Sequence, residues 1–213
     1  MKNKLFFTRA LSIKLQFITQ LIFLALFLVL ILSGRVQLWA ALLLLGVMAS
    51  LVVSRIYCGW LCPINTVINK VTWLKSKLGI RNLKAQKLSK PWIRFLILAL
   101  FVTTFVFSMV TGRAIPALPA LLAAGIILTF FFSEELWHRY LCPFGTILTL
   151  PASVARFKLT INQEKCNSCG ICKKVCPAKA VDVNEKVYTI KKNDCLVCLE
   201  CLTNCKNEAV SYN

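Results

Sequence analysis

Eight of the eleven cysteines in this chain lie in two runs near the C-terminus that share one spacing. The runs are Cys166-x2-Cys169-x2-Cys172-x3-Cys176 and Cys195-x2-Cys198-x2-Cys201-x3-Cys205. Cysteine thiolates at this spacing bind four-iron clusters, because a tight loop supplies three ligands and a more distant cysteine supplies the fourth. Two such runs in one register predict two [4Fe-4S] clusters, which carry electrons one at a time.

The fourth cysteine of each run is expected to bind the cluster of the other run. We therefore predict two ligand sets: Cys166, Cys169, Cys172 and Cys205 for cluster one, and Cys195, Cys198, Cys201 and Cys176 for cluster two. Structural zinc is the main alternative, but zinc commonly uses paired C-x2-4-C hooks with four ligands at each site. Disulfides need an oxidising compartment, and the charge distribution described below argues against one.

The segment that carries the two runs resembles the bacterial two-cluster ferredoxins over about residues 158–213. Ala180-Val181 and Ala209-Val210 occupy equivalent places in its two halves. Patterns that favour β-structure predict four strands, with short helical turns after Cys172 and Cys201. The predicted strands are Lys158–Ile161, Val181–Val183, Val187–Ile190 and Ala209–Tyr212. We expect an α+β ferredoxin-like domain at residues 157–213, whose small core depends on its clusters.

The remaining residues, 1–156, are predicted to form a membrane α-helical domain. The composition is 58% hydrophobic, and four apolar stretches approach the roughly 20 residues that a helix needs to cross a bilayer. The predicted transmembrane helices are Gln16–Ser33, Leu38–Ile56, Trp92–Thr111 and Ile115–Phe132. The first is expected to be a retained helix and not a signal peptide, because Leu32-Ser33-Gly34-Arg35 is a poor cleavage site.

Positive charge predicts the orientation of these helices. Lysine and arginine gather before the first helix and between the second and third, whereas the opposite loops carry one each, Arg35 and Arg113. Positive residues mark the cytoplasmic side, so a multi-pass inner-membrane protein with cytoplasmic termini is expected. The net charge of +18 is then explained by topology and by anionic headgroups, and nucleic acid is not an expected partner. The gathered residues are Lys2, Lys4, Arg9 and Lys14, then Arg55, Lys70, Lys75, Lys77, Arg81, Lys84, Lys87, Lys90 and Arg94.

The basic loop Asn69–Lys90 between the second and third helices allows two interpretations. Val71, Leu74, Leu78 and Leu83 fit the apolar side of a helix that rests on the membrane while its lysines meet headgroups. A solvated basic linker fits the same composition. The loop is therefore predicted to be partly helical, and both interpretations stay open.

Two similar elements follow the second and fourth helices on the cytoplasmic side. The first Cys-Pro element, Arg55–Pro63, contains Cys58 and Cys62, and the second, Trp137–Gly145, contains His138 and Cys142. Each follows an antiparallel helix pair, so the membrane domain is predicted to be a tandem repeat of one hairpin unit. Residues four apart share one face of a helix. Cys58, Cys62, His138 and Cys142 are therefore candidate ligands of a third centre, iron–sulfur or another metal.

Other interpretations of these elements stay open. A cysteine in a membrane helix is often a small apolar residue, and His138 beside Trp137 and Tyr140 fits a membrane interface. A haem ligand is less expected, because a membrane b-type haem usually takes two histidines and this chain has one. Glu134 and Glu135 are candidates for accepting protons or for capping the interface.

The whole arrangement resembles the NapH-type membrane ferredoxins, which are related to the C-terminal part of NosR-type proteins and to the MauN and CcoG types. The residues that carry this resemblance are the eight ferredoxin cysteines and two segments, Cys58-Gly59-Trp60-Leu61-Cys62-Pro63 and Arg139-Tyr140-Leu141-Cys142-Pro143-Phe144-Gly145. His138 stands where the second copy in this family commonly has cysteine. A histidine ligand would raise the reduction potential of an iron–sulfur centre.

The resemblance implies electron transfer between the quinone pool and another redox protein, as a quinol dehydrogenase-like subunit. The cofactors would carry the chemistry, and the protein would position them. Two other functions stay open. One is a reductase of metal ions or thiols that assists the assembly of another membrane enzyme, as in the CcoG-like branch, and the other is a redox sensor.

Overall fold

The computed structural model describes residues 2–83, 89–111 and 116–212, and it is mostly helical. Its contacts divide the chain into two compact units. The first unit comprises Met1–Pro63 and Pro151–Asn213, and the second comprises Ile64–Leu150. The predicted division of the sequence between residues 156 and 157 stays a prediction. The first unit therefore contains the first Cys-Pro element together with both cysteine runs.

Two apolar helices begin the first unit: α1 (Lys2–Leu32) and α2 (Trp39–Val53). α1 ends where Gly34 adopts a left-handed conformation with φ of 68°. The amide of Arg35 then donates to the carbonyl of Leu30 at 3.0 Å, and that of Gly34 to Ile31 at 3.1 Å. These two bonds form a Schellman motif, which satisfies carbonyls that the helix end leaves without partners.

Aromatic packing joins α1, α2 and the first Cys-Pro element. The rings of Phe27 and Trp39 meet edge to face with centroids 5.0 Å apart, and the indole Nε1 of Trp39 donates to the hydroxyl of Tyr57 at 2.8 Å. Gly46 lies so close to the ring of Tyr57 that a Cβ at residue 46 would come within 2.6 Å of it. All three aromatic side chains are buried, so the first half of α2 contacts the first Cys-Pro element through Tyr57.

The C-terminal part of the first unit contains two short antiparallel sheets. Strand β1 (Leu159–Ile161) pairs with β4 (Val210–Tyr212), and β2 (Val181–Asn184) pairs with β3 (Val187–Ile190). These strands lie within one residue of the predicted ones. The short helices α8 (Ile171–Val175) and α9 (Glu200–Thr203) contain the third cysteine of each run, whereas the prediction put them just after it. Leu159, Ala180, Val197 and Val210 form part of the small core between these elements.

The second unit consists of helices and turns. Its helices are α3 (Pro63–Lys77), α4 (Pro91–Thr111), α5 (Ala117–Phe131), the single turn α6 (Glu134–Leu136) and α7 (Pro143–Ser153). The first residue of α3 and the last three of α7 belong to the first unit. The buried Lys75 of α3 donates from Nζ to the carbonyls of Thr129 and Phe132, each at 2.9 Å. Because the last carbonyls of a helix lack internal partners, this lysine caps the C-terminal end of α5.

Among the residues that the structure describes, two helices are long and apolar enough to cross a membrane: Leu11–Leu32 and Pro91–Ser108. Only 11% and 6% of these segments are buried, unlike the core helix of a soluble protein. α2 and α5 are apolar but have 15 residues each, so four spans stay a prediction. α3 confirms that the basic loop is partly helical. Lys84 and Lys87 of that loop, and Arg113 and Ile115 before α5, lie outside the described residues.

Candidate iron–sulfur sites and the Cys-Pro elements

The two cysteine runs have the same backbone conformation. Left-handed residues occupy the third and fifth places of each run and a further place after the last cysteine, although most of them are not glycine. The pairs are Ser168 (φ 56°) and Val197 (φ 54°), Gly170 (φ 75°) and Leu199 (φ 62°), and Lys179 (φ 44°) and Glu208 (φ 52°). The sequence repeat therefore extends to individual backbone angles.

Such angles are costly for these residue types, so the loops must gain something from them. A β-branched residue such as Val197 with positive φ is a genuine outlier, and such strain costs on the order of 1–3 kcal/mol. Alternation of right- and left-handed residues turns successive N–H groups toward one point, a nest that binds anions and iron–sulfur clusters. Burial raises the pKa of four thiols in these loops, and a backbone N–H acts to lower each one: Lys173 for Cys172, Val197 for Cys195, Glu200 for Cys198 and Leu202 for Cys201. The loops therefore fit a cluster bound through its thiolates.

One cavity brings a cysteine of the first run to three of the second. Cys176, Cys195, Cys198 and Cys201 all line it, together with apolar residues that include Leu159 and Ile190. The amide of Ala180 donates to the Sγ of Cys176 at 3.2 Å. This grouping is the one that the exchange of the fourth ligand between runs predicts, and it fits the ligand set of cluster two.

Burial makes the thiols of this cavity unusually weak acids. Burial raises the pKa of Cys195 to about 11, although the hydrogen bond from Val197 and the charge of Arg55 act to lower it. Burial also raises the pKa of Cys198 and of Cys201 well above the usual range, and neighbouring thiolates add to the increase. These sulfurs hold their protons at neutral pH unless a metal replaces them, so metal binding would decide their charge.

The other predicted ligand set is closer to solvent. Cys169 is exposed, and Cys166, Cys172 and Cys205 are partly buried. Burial raises the pKa of Cys172, and the charges of Cys166 and Cys169 raise it further. Cys172 and Cys205 both pack against the small core. Cluster one would therefore lie nearer the surface than cluster two.

None of the eleven cysteines, all within the described ranges, forms a disulfide. Within those ranges, no three histidine, cysteine or acidic side chains converge on a point where they could hold a single metal ion. A four-iron cube binds its four thiolates through its separate irons. Ligation of the two clusters by the eight cysteines stays a prediction.

Both Cys-Pro elements form the same wide turn. Tyr57–Leu61 and Trp137–Leu141 are single π-helical turns, closed by Cys62 N–H to Tyr57 O at 2.9 Å and Cys142 N–H to Trp137 O at 2.8 Å. The cysteines then adopt nearly equal angles, φ −72° and ψ 114° for Cys62 and φ −81° and ψ 112° for Cys142. The predicted repeat is therefore visible in the backbone, but as a π-turn in place of the α-helical turn assumed from the spacing.

Proline explains why the turns end at cysteine. The ring of Pro63 or Pro143 disfavours the helical conformation for the preceding residue, and each cysteine is accordingly extended. Proline is well tolerated as the first residue of a helix, where its missing N–H is not needed, and α3 and α7 begin at these two residues. π-turns are rare and are frequent at functional sites.

The four candidate ligands of a third centre are buried, but they belong to different units. Cys58 and Cys62 lie in the first unit, and His138 and Cys142 in the second. The Sγ of Cys142 accepts a hydrogen bond from the amide of Gly145 at 3.4 Å. Glu135 pairs with Arg139 at 3.3 Å. A shared centre of these four residues, and a proton-accepting role for Glu134 and Glu135, stay predictions.

The first Cys-Pro element packs directly against the second cysteine loop, which we define as Lys192–Cys198. A Cβ on Gly59 would overlap the carbonyl oxygen of Leu196 and come within 3.0 Å of that of Val197. Trp60 Nε1 donates to the Val197 carbonyl at 3.1 Å. Gln16 of α1 donates from Nε2 to the carbonyls of Gly59 at 3.0 Å and Cys198 at 3.3 Å.

Further hydrogen bonds fasten the same surfaces. Ser54 Oγ donates to the carbonyl of Lys192 at 3.2 Å, and a terminal nitrogen of Arg55 donates to that of Asn193 at 3.2 Å. Tyr212 of β4 donates from its hydroxyl to the carbonyl of Val53 at 3.1 Å. Sequence reasoning missed all of these contacts. Gln16 gave one usable signal, since a polar residue within an apolar membrane stretch is a functional candidate.

Comparisons with known proteins find iron–sulfur binding profiles over both Cys-Pro elements and over the first cysteine run. A sequence profile described as a 4Fe-4S binding domain matches residues 37–81 and again 114–162, and each match includes one Cys-Pro element. A second profile with the same description matches residues 159–182, a range that contains the first cysteine run. No solved structure shows a significant match. The duplicated match agrees with the tandem repeat that the two π-turns display.

Several curated proteins are similar over much of the chain. An uncharacterised protein of Methanocaldococcus jannaschii is 28% identical over 98% of this chain and 83% of its own length. The methylamine utilization ferredoxin-type protein MauN of Paracoccus denitrificans is 30% identical over 66% of this chain and 54% of its length. The ferredoxin-type protein NapH of Haemophilus influenzae is 27% identical over 75% of this chain and 62% of its length. The chain thus spans little more than half of these last two relatives.

Proposed function

This chain belongs to the NapH-type family of membrane ferredoxins, and we propose that it passes electrons from quinol in the bilayer to another redox protein. An iron–sulfur electron-transfer protein is the coarser conclusion that its relatives support. The observation that carries the finer proposal is the packing of the first Cys-Pro element on the second cysteine loop. That contact gives electrons a short route from the end of a membrane helix to a candidate cluster.

The eight C-terminal cysteines are the proposed ligands of two [4Fe-4S] clusters, in the two sets predicted from the sequence. The repeated left-handed residues and the cavity lined by Cys176, Cys195, Cys198 and Cys201 support this assignment. The two clusters would accept one electron each when one quinol is oxidised to quinone. That oxidation releases two electrons and two protons, and Glu134 and Glu135 are the proposed proton acceptors.

The proposed topology has four spans and places both termini in the cytoplasm, as the distribution of positive residues predicts. α2 and α5 have 15 residues each, about 22 Å at 1.5 Å per residue, whereas the apolar layer is about 30 Å thick. The Cys-Pro elements that follow these helices would therefore begin within the layer that dissolves quinol. Cys58, Cys62, His138 and Cys142 are candidate ligands of a third centre in that region.

Quinol oxidation can be tested with the purified chain in liposomes. A reduced quinol analogue is added anaerobically, and bleaching of the iron–sulfur absorbance is followed. We expect reduction in the unaltered protein and a large loss of its rate in Cys62→Ala and Cys142→Ala, while dithionite still reduces the C-terminal clusters in both. Reduction by dithionite but never by quinol would contradict the quinol proposal. Full quinol-dependent reduction in both variants would show that the two cysteines are ordinary apolar residues.

A further inference from the structure

Arg55 is an unusual residue for its position, since it is a cation that is only 1% exposed. One terminal nitrogen donates to the carbonyl of Asn193 at 3.2 Å, and the other lies 3.8 Å from the Sγ of Cys58. Within the described residues, its Nε has no hydrogen-bond partner. The guanidinium therefore lies between the first Cys-Pro element and the second cysteine loop.

The partners that the structure gives this guanidinium do not balance its charge. They are a carbonyl oxygen and a cysteine sulfur, and neither is a carboxylate. A charge removed from water costs several kcal/mol unless an opposite charge compensates it. A buried cation held in such a place points to an anion that the folded, metal-loaded protein supplies.

The second cysteine loop is where that anion would lie. Asn193, whose carbonyl accepts the hydrogen bond from Arg55, comes two residues before Cys195. Cys195 shares its cavity with Cys176, Cys198 and Cys201. Four thiolates around an iron–sulfur cube carry net negative charge, so this ligand set is a suitable counter-charge.

The second Cys-Pro element lacks this arrangement. Glu135 occupies the place of Arg55 in the repeat, and Arg139 occupies the place of Gly59. Glu135 and Arg139 pair with each other at 3.3 Å. The buried cation and the close backbone approach therefore occur together, in the copy that meets the cysteine loop.

We propose that Arg55 is the counter-ion of the cluster held by Cys195, Cys198, Cys201 and Cys176, and that electrons from the membrane domain reach this cluster before the other. The inference rests on the proposed function, which supplies quinol as the electron donor and assigns the ligands. Arg55 acts on the cluster indirectly, through the positive charge that it holds beside the thiolates.

The physical reason is electrostatic. Arg55 favours the reduced form of cluster two, because the added electron places more negative charge beside the guanidinium. The effect is strong where solvent is excluded, since interactions between charges weaken as the effective dielectric rises. The ligand set of cluster one includes the exposed Cys169, which suits transfer from this cluster to an outside partner.

A redox titration of the full-length protein tests the counter-ion role. The midpoint potentials of both clusters are followed by EPR with dithionite and mediators, and Cys195→Ala and Cys166→Ala identify which signal belongs to which set. We expect Arg55→Gln to lower the potential of cluster two alone and Arg55→Lys to restore much of it. Lys186→Gln, which removes an exposed positive charge, should leave both potentials in place.

Unchanged potentials in Arg55→Gln, or an equal shift of both clusters, would overturn the inference. The unaltered protein gives a second test that does not depend on assembly of the variant. It is mixed with a quinol analogue in liposomes, frozen at short times and examined by EPR. Cluster two should be reduced first, and earlier reduction of cluster one would overturn the proposed order.

The titration contains no quinol, so its outcome is separate from that of the proposed function. A selective shift in Arg55→Gln without any reduction by quinol would keep Arg55 as the counter-ion of cluster two and reject quinol as the donor. Reduction by quinol without a selective shift in Arg55→Gln would keep quinol as the donor and reject Arg55 as the counter-ion of cluster two.

Discussion

The indole Nε1 of Trp60 donates a hydrogen bond to the carbonyl oxygen of Val197 at 3.1 Å. Trp60 belongs to the π-turn that follows the apolar helix α2, and Val197 is a left-handed residue between two candidate cluster ligands. The contact therefore joins the part of the chain expected in the membrane to the part expected to hold iron.

Substitution of Gly59 should loosen this junction. Alanine normally stabilises a helical position over glycine by roughly 0.5–1 kcal/mol, but a Cβ at residue 59 would overlap the Leu196 carbonyl. We expect Gly59→Ala to destabilise the protein by about 1–3 kcal/mol and to speed hydrogen exchange in Lys192–Cys198. Both are measured in detergent by thermal unfolding and mass spectrometry.

Gly34→Ala is the matched control for Gly59→Ala. A Cβ at residue 34 would meet nothing within 4 Å, although the φ of 68° strains an alanine there. It should therefore cost some stability without changing exchange in the cysteine loop. Protection of that loop that is the same in Gly59→Ala as in the unaltered protein would mean that the backbones do not pack as described.

Exchange of the fourth ligands between the two runs predicts which substitutions resemble each other. Cys176→Ala should remove the same EPR signal as Cys195→Ala, and Cys205→Ala the same signal as Cys166→Ala. The reason is that Cys176 lies with the second run around one cavity. If Cys176→Ala instead matches Cys166→Ala, each run holds its own cluster and the assignment is wrong.

Removal of iron should unfold the C-terminal region while the membrane helices persist. Its two sheets have two strands each, and a region of fewer than about 60 residues buries little surface without a metal or another staple. After anaerobic chelation we expect backbone amides of β1 to β4 to lose protection from hydrogen exchange, with α1 and α4 unchanged. Protection that survives complete loss of iron would show a core that does not need clusters.

Lys75→Met should destabilise the end of α5. The substitution leaves the carbonyls of Thr129 and Phe132 without their donor, and each unsatisfied buried group costs about 1–3 kcal/mol. Lys77→Met, at an exposed position of the same helix, is the control and should cost much less. Equal unfolding temperatures for Lys75→Met and the unaltered protein would contradict the capping role.

The same lysine should make stability depend on alkaline pH. Burial lowers the pKa of Lys75 from its ordinary value of 10.5, and this outweighs the opposite effect of Glu134. The unfolded chain then binds the proton more tightly than the folded protein does, so stability rises with pH from the lowered pKa up to about 10.5. Lys75→Met should lack this rise in unfolding scans, and a rise of the same size in the variant would assign it to another group.

The sequence predicted the features that short segments determine. Local residue patterns predicted the strand at Val187–Ile190 and the apolar helices, and the structure contains both. The duplicated Cys-Pro elements also predicted a repeat, which the π-turns at Tyr57–Leu61 and Trp137–Leu141 display. The π-turns themselves were missed, because a spacing of four residues does not distinguish them from an α-helical turn.

Contacts between segments that are distant in the chain could not be predicted from the sequence. Gln16 donates to Cys198, and no local pattern pairs a residue of the first helix with a loop near the other end of the chain. Val197 and Leu199 adopt left-handed angles that their residue types disfavour, so only the glycine at the equivalent position 170 hinted at the loop conformation. The burial of Arg55 was likewise hidden, because a basic residue at a helix end is ordinarily read as a topological signal.

Anaerobic purification with iron, sulfide and zinc analysis tests the central claim most directly. Two four-iron clusters require about eight iron and eight sulfide per chain, with EPR signals of two interacting [4Fe-4S] clusters after reduction. Cys195→Ala should lower both contents by about half and keep one signal. Zinc in place of iron, or unchanged iron in Cys195→Ala, would contradict the account of this chain as a membrane protein that transfers electrons through its two cysteine runs.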